Sequence, residues 1–289
     1  MREGYRKILV PTDGSLGSEA AFSAIMPLVR AFSPEVAVLH VFEGPEATFL
    51  PPERISTTCA ALRSAGVNAY LELREGAPAR EILLAASGKN VDLIALSTQG
   101  RGGVARWVAG SVAEEVLRQA DVPLLITRPS TLVHDWKTIV IALDGSARAE
   151  EILPDAVRLA RTVGATLQVL QVALPIVAGV IGSIPVSLPI EDPMPYLKRV
   201  VARLEAQGAR ATAVAPEGTP QKEILRHLKD TGASLLCMTT HGRSGLSRLL
   251  LGSVAEQILR HSPCPVYLRR TVSTEEHVEA AVAHGIAVY

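Results

Sequence analysis

The sequence predicts an α/β protein built from two tandem domains, each a doubly wound, five-stranded parallel sheet. Three observations carry this expectation. The chain has 289 residues, and at roughly 100–200 residues per domain that is room for two. An internal repeat spans most of its length. Within each copy, apolar strand-like runs alternate with segments of helical period, the pattern of βαβ units around a parallel sheet.

The repeat is read directly. ILVPTDGS (8–15) returns as IVIALDGS (139–146), and REGAPAREIL (74–83) as PEGTPQKEIL (216–225). The stretch 97–128 returns at 239–270 with 14 of 32 positions identical. The offset is 131 at Asp13/Asp144 and 142 at Gly100/Gly242, so the second copy carries 11 more residues in its middle. Two homologous domains follow, at 1–130 and 137–270, with a short join around Ser130–Trp136 and a tail, 271–289, without a counterpart.

In the first copy a strand is expected at Lys7–Thr12, a helix from about Ser18 to Phe32, and a strand at Val36–Phe42. A helix at Pro52–Ala65, a strand at Asn68–Leu73, a helix at Pro78–Ser87 and a strand at Asp92–Ser97 come next. A loop then leads to a helix at Ser111–Gln119 and a last strand at Pro123–Thr127. The second copy repeats this order. Runs such as LIAL (93–96) and LLCM (235–238) suit strands covered on both faces.

Composition narrows the function. Hydrophobic residues make up 48% and charged residues 20%, which excludes wholesale disorder. Lys+Arg equals Asp+Glu at 29 each, so no basic excess exists to steer the chain onto nucleic acid or an acidic membrane. Cys59, Cys237 and Cys264 are odd in number and lack CxxC spacing, which favours reduced thiols and a cytoplasmic location over disulfides or zinc. No secretory h-region opens the chain. The stretch Thr162–Ile190 carries no charge, yet Pro175, Pro185, Pro189, Gln168 and Gln171 argue against a membrane helix.

Sheets of this class bind ligands beyond the C-terminal ends of their strands. Two loops there carry chemistry. After strand one stand Thr12-Asp13-Gly14-Ser15 and Leu143-Asp144-Gly145-Ser146. Asp-Gly is a common turn, but a carboxylate at this place can also accept hydrogen bonds from a ligand or help hold a metal ion. After strand four, Gly100 and Gly242 are each followed by nine residues and then Gly110-Ser111 or Gly252-Ser253. Ser111/Glu114 and Ser253/Glu256 have capping-box spacing, so a helix is expected to begin at each serine. Its first amides lack intrahelical acceptors and form an anion site, which a preceding glycine leaves open to phosphate. Arg101 and Arg243 either add charge-assisted bonds to phosphate or are solvated surface residues. Val104, Trp107 and Val108, with Leu246, Leu249 and Leu250, form an apolar stripe that tucks each loop onto its own domain; Trp107 as a base-stacking platform is the sharper alternative.

Other signatures are absent. There is no GxxxxGK[ST], and the first turn lacks GxGxxG. The histidines form no HExxH; His40 reads as a packed histidine, and His241 is replaced by Gln99 in the first copy. Ser15 and Ser146 have no His/Asp partners for triad chemistry.

Both halves resemble universal stress protein domains in tandem, over about residues 6–270. The most specific part is the nucleotide motif Gly-x2-Gly-x9-Gly-Ser/Thr. Gly100, Gly110 and Ser111 match it in the first copy, and Gly242, Gly252 and Ser253 in the second; Ser97 and Thr239 take the first glycine position. The resemblance implies an adenine-nucleotide α-hydrolase-like fold that binds ATP or AMP, with or without Mg²⁺, in both halves. By position, Asp13 and Asp144 would meet the adenine or ribose region, with Pro11 and Thr12 beside the first site and Ala142 and Leu143, which lose a hydroxyl, beside the second. Val41 and Val172 would contact adenine. Leu96, Ser97 and Gly100, with Met238, Thr239 and Gly242, would line the ribose side. Ser111, Val112 and Ala113, with Ser253, Val254 and Ala255, would hold phosphates. The resemblance further implies a homodimer. The last strands, PLLIT (123–127) and PVYLR (265–269), can pair within one chain as a pseudo-dimer, which also covers two sheet edges. The apolar, proline-rich insertion 176–190 reads as a loop serving as lid, partner patch or self-association surface, and an interface is the reading preferred.

The leading expectation is a cytoplasmic adenine-nucleotide-binding stress-response or regulatory protein with at most slow hydrolysis and no dedicated catalytic residue. Two rivals stand beside it: an adenylating or ATP-pyrophosphatase-type enzyme on the same fold, which would need a substrate domain, and a nucleotide-free interaction scaffold. A membrane-associated sensor is a distant further alternative.

Overall fold

In the computed structural model, residues 4–43, 51–88, 90–98, 111–131, 135–181, 184–189, 192–240 and 252–270 are described. The first half runs β1 (Lys7–Pro11), α1 (Leu16–Phe32), β2 (Glu35–Phe42), α2 (Glu53–Ser64), β3 (Ala69–Glu75), α3 (Pro78–Gly88), β4 (Leu93–Ser97), α4 (Ser111–Gln119) and β5 (Leu124–Thr127). The second half begins with β6 (Thr138–Ala142), α5 (Ala147–Glu150), α6 (Leu153–Val163) and β7 (Thr166–Leu170). It continues with β8 (Pro175–Ile181), β9 (Ile184–Pro189), α7 (Met194–Glu205), β10 (Arg210–Val214), α8 (Pro220–Asp230), β11 (Leu235–Thr239), α9 (Ser253–His261) and β12 (Val266–Arg269).

Ten strands form one sheet in the order β10-β7-β6-β11-β12-β5-β4-β1-β2-β3. Each half thus has the doubly wound order 3-2-1-4-5, with every pair parallel. The halves meet where β12 runs antiparallel to β5, pairing Val266 with Ile126, Tyr267 with Leu125 and Leu268 with Leu124. At the repeat offset of 142, Tyr267 faces its own counterpart Leu125, so a pseudo-twofold axis passes through that pair.

Burial explains why these segments are strands. In β1, Ile8 and Val10 point to the layer of α1 and α2 while Leu9 points to the layer of α3 and α4, and all three are buried. A strand covered on both faces needs a continuous apolar run rather than alternation. The helices show one apolar stripe each, as α4 does with Ala113, Val116 and Leu117. Cys59, Cys237 and Cys264 are buried free thiols within these layers. Trp136, which falls in the sequence join, is only 2% exposed and belongs to the core.

Two elements differ from the sequence reading. The second copy does not repeat the first helix intact: α1 is one helix of 17 residues, whereas its counterpart is split into α5 and α6. Pro154 stands in the first turn of α6 and has no N–H to give the Glu150 carbonyl, so the helix restarts there. The insertion is not a loop. It forms a separate two-stranded antiparallel hairpin, β8–β9, with Pro175 opposite Pro189 and a bulge between Val177 and Gly179. The described residues of the uncharged stretch 162–190 thus include a helix end, the strand β7 and the paired strands β8 and β9. Among the described residues no helix is long and apolar enough to cross a membrane.

Candidate functional site

The strand order reverses between β1 and β4 in the first half and between β6 and β11 in the second. Crossover loops diverge at these switch points and leave a crevice at the strands' C-terminal ends. Pro11 ends β1 and Ser97 ends β4, with Leu96 before it and Val41 near the end of β2. In the second half, Ala142 ends β6, Met238 and Thr239 end β11, and Val172 lies two residues past β7. The fold therefore brings these sequence-selected residues to one end of the sheet in each half. Ser111, Val112 and Ala113 open α4, and Ser253, Val254 and Ala255 open α9.

The turn after β1 is held from several sides. The Thr12 N–H donates to the Leu39 carbonyl at 2.8 Å, and the Gly14 N–H donates to Thr12 Oγ1 at 3.1 Å. The Ser15 N–H donates to Asp13 Oδ1 at 2.9 Å, closing an Asx turn. Ser15 caps α1 by accepting from the Ser18 N–H at 3.2 Å. Gly14 sits at φ +77, and a Cβ there would stand 3.2 Å from Ile55 Cγ1 and 3.3 Å from Pro52 Cβ. A small residue with left-handed freedom is required.

Two contributors escaped the sequence reading. Ser18 is buried, and its hydroxyl lies 2.8 Å from Thr12 Oγ1. His40 is indeed packed, but it also supports the loop: Nδ1 lies 2.8 Å from the Thr12 carbonyl oxygen, which can only accept, so Nδ1 carries the proton. Its ring meets Phe42 edge to face. A polar residue alternating with apolar ones near the end of β2 was the available signal.

The second half builds the same turn with different side chains. The Leu143 N–H donates to the Leu170 carbonyl at 2.8 Å. The Ser146 N–H donates to Asp144 Oδ1 at 2.9 Å, and the Ser146 hydroxyl donates to the same oxygen at 2.6 Å. The Ala149 N–H donates to Ser146 Oγ at 3.1 Å. Leu143 and Ala149 replace the hydroxyl pair Thr12–Ser18, and Gln171 stands where His40 does. At the repeat offset of 142 the buried Leu197 of α7 takes the place of Ile55 in α2, and Tyr196 stands beside it. Burial pushes its phenol pKa up, and the Glu150 and Asp144 carboxylates add to that.

The start of α9 differs from the expected capping box. Gly252, not Ser253, is the N-cap, and its carbonyl accepts the Glu256 N–H at 2.9 Å. Ser253 is then the first helical residue, and no side chain caps the helix. The amides of Ser253, Val254 and Ala255 consequently have no acceptor within the helix. The Gly252 N–H reaches back to the Thr240 carbonyl at 3.4 Å, and a Cβ on Gly252 would lie 3.2 Å from that oxygen. Thr240 and its counterpart Thr98, both buried, tie the strand ends across the sheet: Thr240 N–H to the Arg269 carbonyl at 3.0 Å, Thr98 N–H to the Thr127 carbonyl at 2.9 Å. Neither threonine was singled out from sequence, although both copies have one there. Gly100, Arg101, Gly110, Gly242 and Arg243, with the loop residues Trp107 and His241, lie outside the described residues. Among the described residues, no group of three or more His, Cys, Asp or Glu side chains is arranged to hold a metal ion.

The comparisons with known proteins agree with this architecture. The model of the Universal stress protein family matches twice, at residues 4–128 and 135–270. The universal stress protein MJ0531 of Methanocaldococcus jannaschii is 32% identical over 140 residues, covering 43% of this chain and 82% of that protein. Universal stress protein Mb2028c of Mycobacterium bovis is 23% identical over 288 residues, covering 91% of this chain and 96% of its own length. In fold, the chain is similar to the solved universal stress protein of Archaeoglobus fulgidus, with a TM-score of 0.71 at 23% identity over 93% of this chain and 97% of that one. With both halves matched and the tandem doubly wound sheet in place, the chain belongs to the universal stress protein family.

Proposed function

We propose that this chain is a stress-response protein of the cytoplasm that binds ATP or AMP as a regulatory ligand in each of two domains, at 1–130 and 137–270. The observation that carries the reading is the start of α9: a glycine-capped helix whose first three amides have no acceptor within the helix, at the C-terminal end of the sheet in the half where Asp144 closes its turn. Such an array favours an anion with several oxygens, because it supplies donors and the positive end of the helix dipole together. The residues present suit a nucleotide. Ser253, Val254 and Ala255 would receive phosphate oxygens, Asp144 would accept from ribose or adenine, and Val172 and Met238 would give apolar contact. Asp13, Val41, Leu96, Ser97 and Ser111 to Ala113 would do the same in the first domain. Mg²⁺ would come with the phosphates. A bound nucleotide acts by favouring one conformation or association state over another, and the triad and P-loop residues that speed hydrolysis are absent from the sequence.

Calorimetric titration of nucleotide-stripped protein with ATP and Mg²⁺ tests this. Binding near two sites per chain is expected, with one site lost in Gly110→Val and one in Gly252→Val. No heat at millimolar nucleotide would defeat the reading and leave an interaction scaffold.

A further inference from the structure

A buried polar cluster sits at the junction of the two halves, on the face of α1 and α6. Asp155 of α6 is 3% exposed and holds two guanidinium groups. Arg158 Nη2 donates to its Oδ1 at 2.7 Å, and Arg269 Nε of β12 donates to its Oδ2 at 2.6 Å. Arg158 Nη2 also donates to the Tyr5 hydroxyl at 3.0 Å and lies over the Tyr5 ring. The Tyr5 hydroxyl in turn bonds the Tyr267 hydroxyl at 2.9 Å, across 262 residues of chain. Tyr5 belongs to the first half, two residues before β1, and the other four belong to the second.

The cluster is one-sided. At the repeat offsets, the counterparts of Asp155, Arg158, Tyr267 and Arg269 are Ala24, Pro27, Leu125 and Thr127, and that of Tyr5 is Trp136. None of these carries a charge. A buried network of this kind is costly when incomplete and specifies a single arrangement when satisfied.

It is also continuous with the second ligand site. Arg269, gripped by Asp155, offers its carbonyl to the Thr240 N–H at 3.0 Å. The Thr240 carbonyl accepts the Gly252 N–H at 3.4 Å and stands 3.2 Å from where a Gly252 Cβ would be. Gly252 caps α9. In the first half the matching strand bond runs from Thr98 to Thr127, and Ala24, the counterpart of Asp155, has no carboxylate.

We infer that Asp155 and Tyr5 are positioning residues for the second ligand site: the Asp155–Arg269–Thr240–Gly252 chain couples the α9 cap to the junction, so the second site, unlike the first, reports on how the halves sit together. This rests on the proposed nucleotide binding. It predicts that Tyr5, a residue of the first half, controls affinity in the second.

Tyr5→Phe removes one hydroxyl and little volume; Asp155→Asn keeps shape and removes charge. In each, titration with ATP and Mg²⁺ in a Gly110→Val background, which isolates the second site, should show affinity weakened about 3- to 30-fold, the usual range of such coupling. First-site affinity, isolated with Gly252→Val, should stay within about twofold by the same measure of coupling. Hydrogen exchange provides a readout without ligand. Protection at the Thr240 and Gly252 amides should fall relative to Thr98, whereas a merely structural loss lowers all three alike. Unchanged second-site affinity together with an unchanged Thr240-to-Thr98 protection ratio in a folded Tyr5→Phe protein would overturn the inference, whether or not Asp155→Asn folds. If the unsubstituted protein binds no nucleotide, the functional reading fails, and the exchange ratio alone still decides the coupling.

Discussion

Substituting Gly14 by Ala should cost clearly more stability than substituting Gly66 by Ala, although both glycines have nearly the same backbone. Gly14 is at φ +77 and Gly66 at φ +81, so each alanine pays the left-handed penalty of about 1–2 kcal/mol. At Gly66 nothing lies within 4 Å of the new methyl, and the cost ends there. At Gly14 the methyl meets Ile55 Cγ1 at 3.2 Å and Pro52 Cβ at 3.3 Å. The proline ring cannot rotate away, and Ile55 is 1% exposed, so relief requires α2 or the turn to move. Overpacking of this kind adds about 1–3 kcal/mol. The expected totals are about 1–2 kcal/mol for Gly66→Ala and about 2–5 kcal/mol for Gly14→Ala, read as shifts in urea midpoint at constant m-value. Equal costs, or a smaller one at Gly14, would refute the claim that α2 clamps the Asp13 turn. Because that turn carries Asp13, the same substitution should weaken the first nucleotide site and leave the second alone.

The other expectations are these. Stability should fall as pH drops below about 6.5: burial lowers the His227 pKa, so the unfolded chain binds the proton first. The contribution is present above the unfolded value and lost as pH falls toward the folded one; a His227→Gln protein whose urea midpoint has the same pH slope would contradict the assignment. Burial raises the thiol pKa of Cys237 well up and that of Cys264 to about 11, so native protein should react with a thiol reagent far more slowly than unfolded protein; fast native labelling of either would contradict their packing. Removing residues 176–190 should lower the mass seen by light scattering, because a lone apolar hairpin is marginal in water without a cover; an unchanged mass would take the hairpin out of the self-association surface.

Much of the architecture was legible because the chain states it twice. A repeat of Asp-Gly-Ser after an apolar run fixes β1 and β6 together, and the apolar runs PLLIT and PVYLR do pair across the junction. What escaped notice lies where the copies differ or where backbone decides. Prolines that argue against a membrane helix in 162–190 do not bar the hairpin, because a two-stranded ribbon has outer edges where a missing N–H costs little. Ser253 has cap spacing to Glu256, but Gly252 takes the cap, since an extended backbone with a free carbonyl suffices and capping serine is not needed. The junction cluster was visible only as mismatches, Ala24 against Asp155 and Leu125 against Tyr267. No single-copy pattern announces that such residues converge, because Tyr5 and Tyr267 meet through the pairing of two halves.

The most direct test of the account is calorimetric titration of the nucleotide-stripped protein with ATP and Mg²⁺, run beside Gly110→Val and Gly252→Val. The account predicts close to two sites per chain and the loss of one site in each variant. Full binding retained in both variants, or none in the unsubstituted protein, would contradict it.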